Sequence, residues 1–154
     1  MLETALFCAA LLLAAWLFAR LEIEIEGSEG WAASLPTWRK EVPWLAWLFG
    51  SRPLTGYHLY AFLFIAVAVH VPFAVIPAAW SAAAELQVLG FLVLFWVLED
   101  FLWFVLNPAF GLRAFRPSRA WWHADGWLGP LPRPYWIFVP IGIALVTWGR
   151  LLAA

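Results

Sequence analysis

Two adjacent carboxylates, Glu99 and Asp100, lie inside the apolar run FWVLEDFLWF. Carboxylates can act as general acids or bases and can bind cations, but an uncompensated charge inside an apolar segment is costly. Adjacent residues on a helix point about 100° apart, so these two groups would share one site only in part. We therefore expect both side chains to face protein rather than lipid, and we predict Glu99 and Asp100 as candidate catalytic residues.

Histidines and acids elsewhere in the chain are the predicted partners of Asp100. His58 lies near the start of an apolar run, and His123 and Asp125 lie in the segment AWWHADGW. Glu26 belongs to the alternating segment LEIEIEG. Mixed imidazole and carboxylate ligands suit a transition metal such as zinc, iron or manganese. The predicted metal ligands are therefore His58, Asp100, His123, Asp125 and Glu26.

The elements that must position these residues are long apolar helices. Of the 154 residues, 65% are hydrophobic and 12% are charged, whereas a soluble domain has roughly a quarter charged residues. Four runs approach the ~20 residues that cross a membrane, where the backbone must be helical. We predict one polytopic, all-α integral membrane domain over residues 1–154, with helices at about 3–20, 56–80, 82–106 and 135–152. The second and third helices would form a tight antiparallel hairpin.

The distribution of basic residues predicts the orientation of the four helices. Eight of the nine Lys and Arg residues lie in or at the edges of two long loops, at about 21–55 and 107–134. The positive-inside rule then places both loops in the cytoplasm and both termini outside, in a membrane of the bacterial inner-membrane type. The first run has no basic segment before it and no small-residue cleavage site, so we expect a retained helix rather than a signal peptide.

Both long loops are rich in tryptophan, which favours the interface between membrane and water. We expect them to fold into a cap over the cytoplasmic ends of the helices, with an interfacial helix at VPWLAWLFG, residues 42–50. Strict alternation in LEIEIEG predicts a short strand or a frayed helix end with its glutamates in water. The competing interpretation is a row of carboxylates directed at a cation.

The charged residues also indicate which partners to expect. Arg113, Arg116 and Arg119 are close enough in sequence to bind an anionic lipid headgroup, although an anchoring role explains them equally well. A net charge of −1 argues against a nucleic-acid surface. The predicted partners are therefore membrane lipids, and other membrane subunits are an alternative.

Three interpretations of the polar residues remain open on sequence alone. They could form structural ion pairs, a metal or acid–base site, or a pathway for ions or protons. We favour a membrane-embedded protein with a metal-binding acid and histidine site at the cytoplasmic leaflet, which binds or acts on a lipid-like substrate. The alternative is a non-catalytic small subunit of a larger membrane complex. The pattern does not decide whether the protein is an enzyme.

Overall fold

Helices dominate the computed structural model, which describes residues 1–50 and 52–154 but not the side chains of Phe49, Trp121, Ala124 and Asp125. Four of the helices are long and apolar enough to cross a membrane: α1, α3, α4 and α5. In chain order the elements are α1 (Leu2–Glu26), β1 (Arg39–Lys40), α2 (Pro43–Phe49), β2 (Leu54–Thr55), α3 (Gly56–Val75), α4 (Ala82–Leu106), β3 (Trp127–Leu128), β4 (Leu131–Pro132) and α5 (Arg133–Ala153). Short 3₁₀ segments cover Pro77–Ala79, Leu112–Ala114 and Trp121–Gly126.

The first helix is longer than the predicted span of 3–20, because the alternating segment LEIEIEG continues it. A period of two along the chain also places Glu22 and Glu26 four residues apart, on one helical face, where both are buried. Glu24 lies on another face, exposed, with Arg20 at 3.6 Å. Gly27 ends the helix at φ 70, a conformation that favours glycine. Of the two predicted conformations the segment is therefore the helix end and not the strand, and the expectation that all its glutamates lie in water is wrong.

The third helix ends at Val75 rather than at the predicted residue 80. Pro77 has no backbone N–H and disfavours helical geometry at the residue before it, which ends the helix there. His70 ties the end of α3 to α4: its Nδ1 lies 2.6 Å from the carbonyl oxygen of Ala66 and its Nε2 3.0 Å from Oε1 of Glu85. The side-chain contact between His70 and Glu85 therefore joins the two helices in addition to the covalent connection between them.

α4 packs most extensively against α5, and not against α3 as the predicted hairpin implied. Glycines allow the approach. A Cβ atom placed on Gly90 would lie 2.8 Å from the backbone oxygen of Gly142, and one on Gly149 would lie 2.7 Å from the oxygen of Ala83. Small residues let apolar helices approach to backbone contact, where van der Waals attraction is greatest. α1 packs on another side of α4, which makes α4 the central helix.

An aromatic core closes the end of the bundle where residues 27–55 and 107–132 lie, which we call the loop end. Trp122 is 3% exposed and stacks on Phe104 with ring centroids 5.2 Å apart. The side chain of Asn107 donates to the carbonyl oxygen of Gly27 at 2.9 Å, joining the ends of α4 and α1. Two antiparallel strand pairs, β1 with β2 and β3 with β4, hold the loops that enter α3 and α5. The tryptophans thus pack the loops onto the helices.

Candidate functional site

A cavity of about 510 Å³ lies at the loop end, among α1, α3, α4, α5 and the two loops. Its size falls in the usual range for small-molecule sites, about 300–1,000 Å³. Part of its wall is polar and part is apolar. The polar part contains Glu22, Glu26, Arg52, His58, Glu99 and Asp100.

Glu26 receives two contacts from the segments that follow α1. The backbone N–H of Ala32 donates to its Oε1 at 2.5 Å, and Nε2 of His58 lies 3.4 Å from the same oxygen. The side chains of Glu26 and His58 are 4% and 5% exposed, so both groups are well removed from solvent. A buried carboxylate needs such donors, because desolvation without them costs several kcal/mol.

The Thr55 hydroxyl orients the imidazole of His58. Thr55 caps α3, and its Oγ1 accepts a hydrogen bond from the backbone N–H of His58 at 3.1 Å. The same oxygen lies 2.7 Å from Nδ1 of His58. If the hydroxyl donates to Nδ1, the ring proton is on Nε2 and points to Glu26. The Trp31 ring stacks on the imidazole at 3.8 Å between centroids and fixes its plane.

Glu22 and Glu99 form a carboxyl pair between α1 and α4. The two side chains hydrogen bond to each other, which requires that one of them carries a proton. Tyr57 donates its hydroxyl to Oε1 of Glu22 at 3.1 Å. Glu99 has fewer hydrogen-bond partners than Glu22. It is 3% exposed, and its Oε1 has no hydrogen-bond partner among the described residues.

Asp100 forms a second polar group with His123 and Tyr135. Nε2 of His123 lies 3.2 Å from both carboxylate oxygens, and the Tyr135 hydroxyl donates to Oδ2 at 2.5 Å. Burial lowers the pKa of His123, an effect that the Asp100 carboxylate opposes and Arg52 adds to. A neutral His123 that donates through Nε2 leaves Nδ1 as its basic nitrogen. This arrangement can hold or transfer a proton at the cavity wall.

Arg52 is the only Lys or Arg side chain among the described residues that line the cavity. Its guanidinium lies over the Trp31 ring, 3.7 Å from the centroid. Burial lowers the pKa of Arg52 to about 10, and the nearby charges of Asp100, Tyr135 and Glu26 oppose that shift. Arg52 is therefore positively charged at neutral pH and partly balances the acids around it.

The structure brings most of the predicted site residues together. Glu26, His58, Glu99, Asp100 and His123 all line the cavity. The side chain of Asp125 lies outside the described residues. Arg113, Arg116 and Arg119 are exposed and do not line the cavity, so the structure does not connect them to this site.

Sequence reasoning did not name Tyr135, and it did not place Glu22 or Arg52 among the site residues. Glu22 was considered only within the row of glutamates, and Arg52 only among the arginines that could neutralise Glu99 and Asp100. Glu22 could have been placed in the site, because it precedes Glu26 by one helical turn. The sequence alone does not bring Tyr135 or Arg52 to the cavity. Each becomes part of the site only because the loops and α5 dock against α4, which no local pattern specifies.

The predicted metal remains a prediction. Among the described residues, no three His, Cys, Asp or Glu side chains meet in an arrangement that could hold a metal ion. The two histidines predicted as ligands form separate pairs instead, His58 with Glu26 and His123 with Asp100. The side chain of Asp125, another predicted ligand, lies outside the described residues.

Comparison with known proteins finds no relative of this chain. The chain matches no family model, no curated protein and no solved structure. The function must therefore be argued from the site itself.

His123→Gln is expected to shift the pH dependence of the unfolding temperature, so that the variant loses less stability than wild type, or gains more, as the pH drops through about 6.5. Because the pKa of folded His123 is below its ordinary value of 6.5, the unfolded chain binds more protons in the interval between the two values. Stability contributed by this group therefore rises with pH across that interval. Thermal unfolding in neutral detergent between pH 5 and pH 8 measures the slope. Glu24→Gln, on the exposed face of α1, is the control and should keep the wild-type slope. Equal slopes for wild type and His123→Gln would contradict the prediction.

Proposed function

We propose that the chain is an integral membrane protein whose cavity binds, or acts on, an amphipathic lipid-like molecule at the cytoplasmic leaflet. Four helices long and apolar enough to cross a membrane support the first part. The clustering of basic residues in the loops at 21–55 and 107–134 supports the cytoplasmic orientation, with both termini outside a membrane of the bacterial inner-membrane type.

The observation that carries the proposal is the division of the cavity wall into a polar and an apolar part. Acids, imidazoles and one guanidinium lie at the loop end together with apolar loop residues such as Trp31 and Leu54. Only apolar and aromatic side chains, Phe62, Val93, Val97 and Phe138 among them, line the part farther along the helices. A molecule with a polar head and an apolar chain matches both parts at once, because each surface is covered by a group of its own kind. Intramembrane ionisable groups that face a cavity typically mark a functional site.

Asp100, His123 and Tyr135 are the groups we propose for any chemistry on that molecule. The Asp100 carboxylate is held from two sides by donors, and its side chain keeps 25% of its surface accessible. It can therefore reach a ligand while His123 and Tyr135 fix its position and adjust its proton affinity. A transition metal bound by His58, Asp100, His123 or Glu26 is proposed on the donor types alone.

A non-catalytic membrane subunit is the second candidate. It is favoured by the loose attachment of α3, whose only buried residues are Gly56 and His58. Its outward face includes Tyr60, Phe64 and Val67, each about two thirds exposed, at 66%, 69% and 65%. A partner helix could cover that face as well as lipid could.

Filling the cavity is expected to remove a co-purified amphiphile. Val97 lines the apolar part, so Val97→Trp occupies the space without altering a charged group. Organic extraction of the purified protein followed by mass spectrometry should show a bound amphiphile in wild type, with at least tenfold less in Val97→Trp. Val71→Trp adds the same ring to the exposed face of α3 and should retain the ligand.

Two outcomes would contradict the proposal. Equal amounts of every extracted lipid in the two tryptophan variants would show that the cavity holds none of them. Recovery of the chain only together with a second membrane protein, with no extracted ligand, would favour the subunit function instead.

A further inference from the structure

The cavity wall carries more acidic than basic groups. Four carboxyl groups line it: Glu22 and Glu26 from α1, and Glu99 and Asp100 from α4. The hydrogen bond between Glu22 and Glu99 requires a proton, so that pair carries at most one negative charge. The described lining offers one guanidinium against these acids, that of Arg52, with the imidazoles of His58 and His123 and the hydroxyls of Tyr57 and Tyr135 nearby. A cation in the cavity would reduce the imbalance.

Two cavity-lining side chains have a buried acceptor without a donor among the described residues: Glu99 at Oε1 and His123 at Nδ1. Oε1 of Glu99 is inaccessible and lacks a hydrogen-bond partner among the described residues, on a side chain that lines the cavity. A buried acceptor left unpaired costs about 1–3 kcal/mol. An N–H or O–H group on a ligand would satisfy it, whereas a carboxylate or a phosphodiester would not, because neither carries a donor at neutral pH.

Aromatic rings line the same cavity as the acids. Trp96, Trp103, Trp122 and Tyr135 line the cavity together with Phe62. The faces of such rings attract organic cations, and an aromatic wall beside a carboxylate is the chemistry that recognises ammonium groups. Trp31 also lines the cavity, and the Arg52 guanidinium lies over its ring, so one aromatic ring of the lining already contacts a cation.

The apolar part of the cavity lies between α3 and α5. These helices flank α4 and make almost no direct contact with each other, yet both contribute residues to the lining. Between them the wall is formed by Val93 and Val97 of α4. An apolar chain can therefore extend from the acids toward the bilayer along α4.

We propose that the amphiphile bound in this cavity has a cationic amine head, held by Glu99, Glu26 and Asp100 and by the aromatic wall. The inference rests on the proposed function and specifies its ligand class. The chain of the amphiphile lies against Val93, Val97 and Phe138. The exposed arginines 113, 116 and 119 take no part in holding the head.

Three probes that share a twelve-carbon chain test the charge of the head: dodecylamine, dodecanol and dodecanoate. Each is titrated into the purified protein in a neutral detergent at pH 7.5, and the dissociation constant is read from the shift in unfolding temperature. We expect the amine to bind about tenfold more tightly than the alcohol, equivalent to about 1.4 kcal/mol, and the carboxylate to bind least.

Matched variants show whether the cavity acids are responsible. Glu99→Gln and Glu26→Gln should each reduce the preference for the amine to less than threefold. Glu24→Gln removes the same charge from the exposed side of α1 and should leave the preference unchanged. Glu26→Gln keeps the test valid if Glu99→Gln does not fold.

The contradicting results separate the two proposals. If dodecanol or dodecanoate binds as tightly as the amine and Val97→Trp blocks it, the amine inference is wrong while the amphiphile site stands. If none of the three probes binds, both are wrong. If Zn²⁺ or Mn²⁺ alone raises the unfolding temperature, EDTA reverses the effect and Glu99→Gln abolishes it, the acids are metal ligands and the amine inference is overturned.

Discussion

Gly90→Ala is expected to lower the unfolding temperature in detergent by up to about 8 °C, the net of overpacking and a gain in helix propensity. A Cβ at this position would lie 2.6 Å from Cγ2 of Val146, 2.8 Å from the oxygen of Gly142 and 2.9 Å from the nitrogen of Val146. Two of these atoms are backbone, so rotamer changes cannot relieve the contact and α4 must move away from α5. Overpacking of this kind costs about 1–3 kcal/mol, and each kcal/mol shifts the midpoint by about 2–4 °C in a protein of this size.

Helix propensity acts in the opposite direction, since alanine is favoured over glycine by about 1 kcal/mol in a helix interior. The sign of the change therefore shows which effect is larger. Gly90→Leu should destabilise further, whereas Ala68→Leu on an exposed face of α3 should be nearly neutral. An unfolding temperature raised by Gly90→Ala would show that α4 and α5 do not meet at this glycine.

Asp100→Ala is expected to destabilise the protein by about 3 kcal/mol. Its removal leaves the Tyr135 hydroxyl and Nε2 of His123 without their acceptor, and it removes an acid whose charge partly balances that of Arg52. Breaking a buried charged pair from one side costs about 3–5 kcal/mol, and the accessible quarter of the Asp100 side chain argues for the lower end. Thermal unfolding of the detergent-purified variants measures the loss.

The conservative variant and a double variant separate the lost hydrogen bond from the lost charge. Asp100→Asn keeps an acceptor for Tyr135 and should cost less than Asp100→Ala. Tyr135→Phe combined with Asp100→Ala should cost clearly less than the two single changes added together, because they remove the same contact. Full additivity would show that Tyr135 and Asp100 do not interact. Glu24→Ala, which loses only an exposed partner, should change stability by less than about 1 kcal/mol.

Hydropathy located the four long helices, because a span must be apolar along its whole length and a sequence shows this directly. α4 at Ala82–Leu106 has the predicted bounds. α1 does not, because its last turns carry glutamates that end the apolar run although the helix continues. The same glutamates alternate with period two, and a strand and a helix both accommodate that spacing over a few residues.

The site was predictable to the extent that its residues lie near the same end of their helices. His58, Glu99 and Asp100 could be placed at one end of the bundle by counting along the spans. The pairing of His123 with Asp100 could not, because it depends on the aromatic core that holds the loop. Packing of α4 on α5 was also missed, although Gly142 and Gly149 repeat at seven residues and so mark one face of α5.

The most direct test of the amphiphile site is photoaffinity mapping in native membranes. Amphiphiles with a diazirine in the chain and a cationic, neutral or anionic head are cross-linked, and the labelled residues are identified by mass spectrometry. We expect at least one of them to label Val93, Val97 or Phe138, with the label lost in Val97→Trp and when an excess of the unlabelled amphiphile competes. Labelling confined, for every head, to outward residues such as Leu63, Phe64 and Val67 would show that the cavity does not bind an amphiphile.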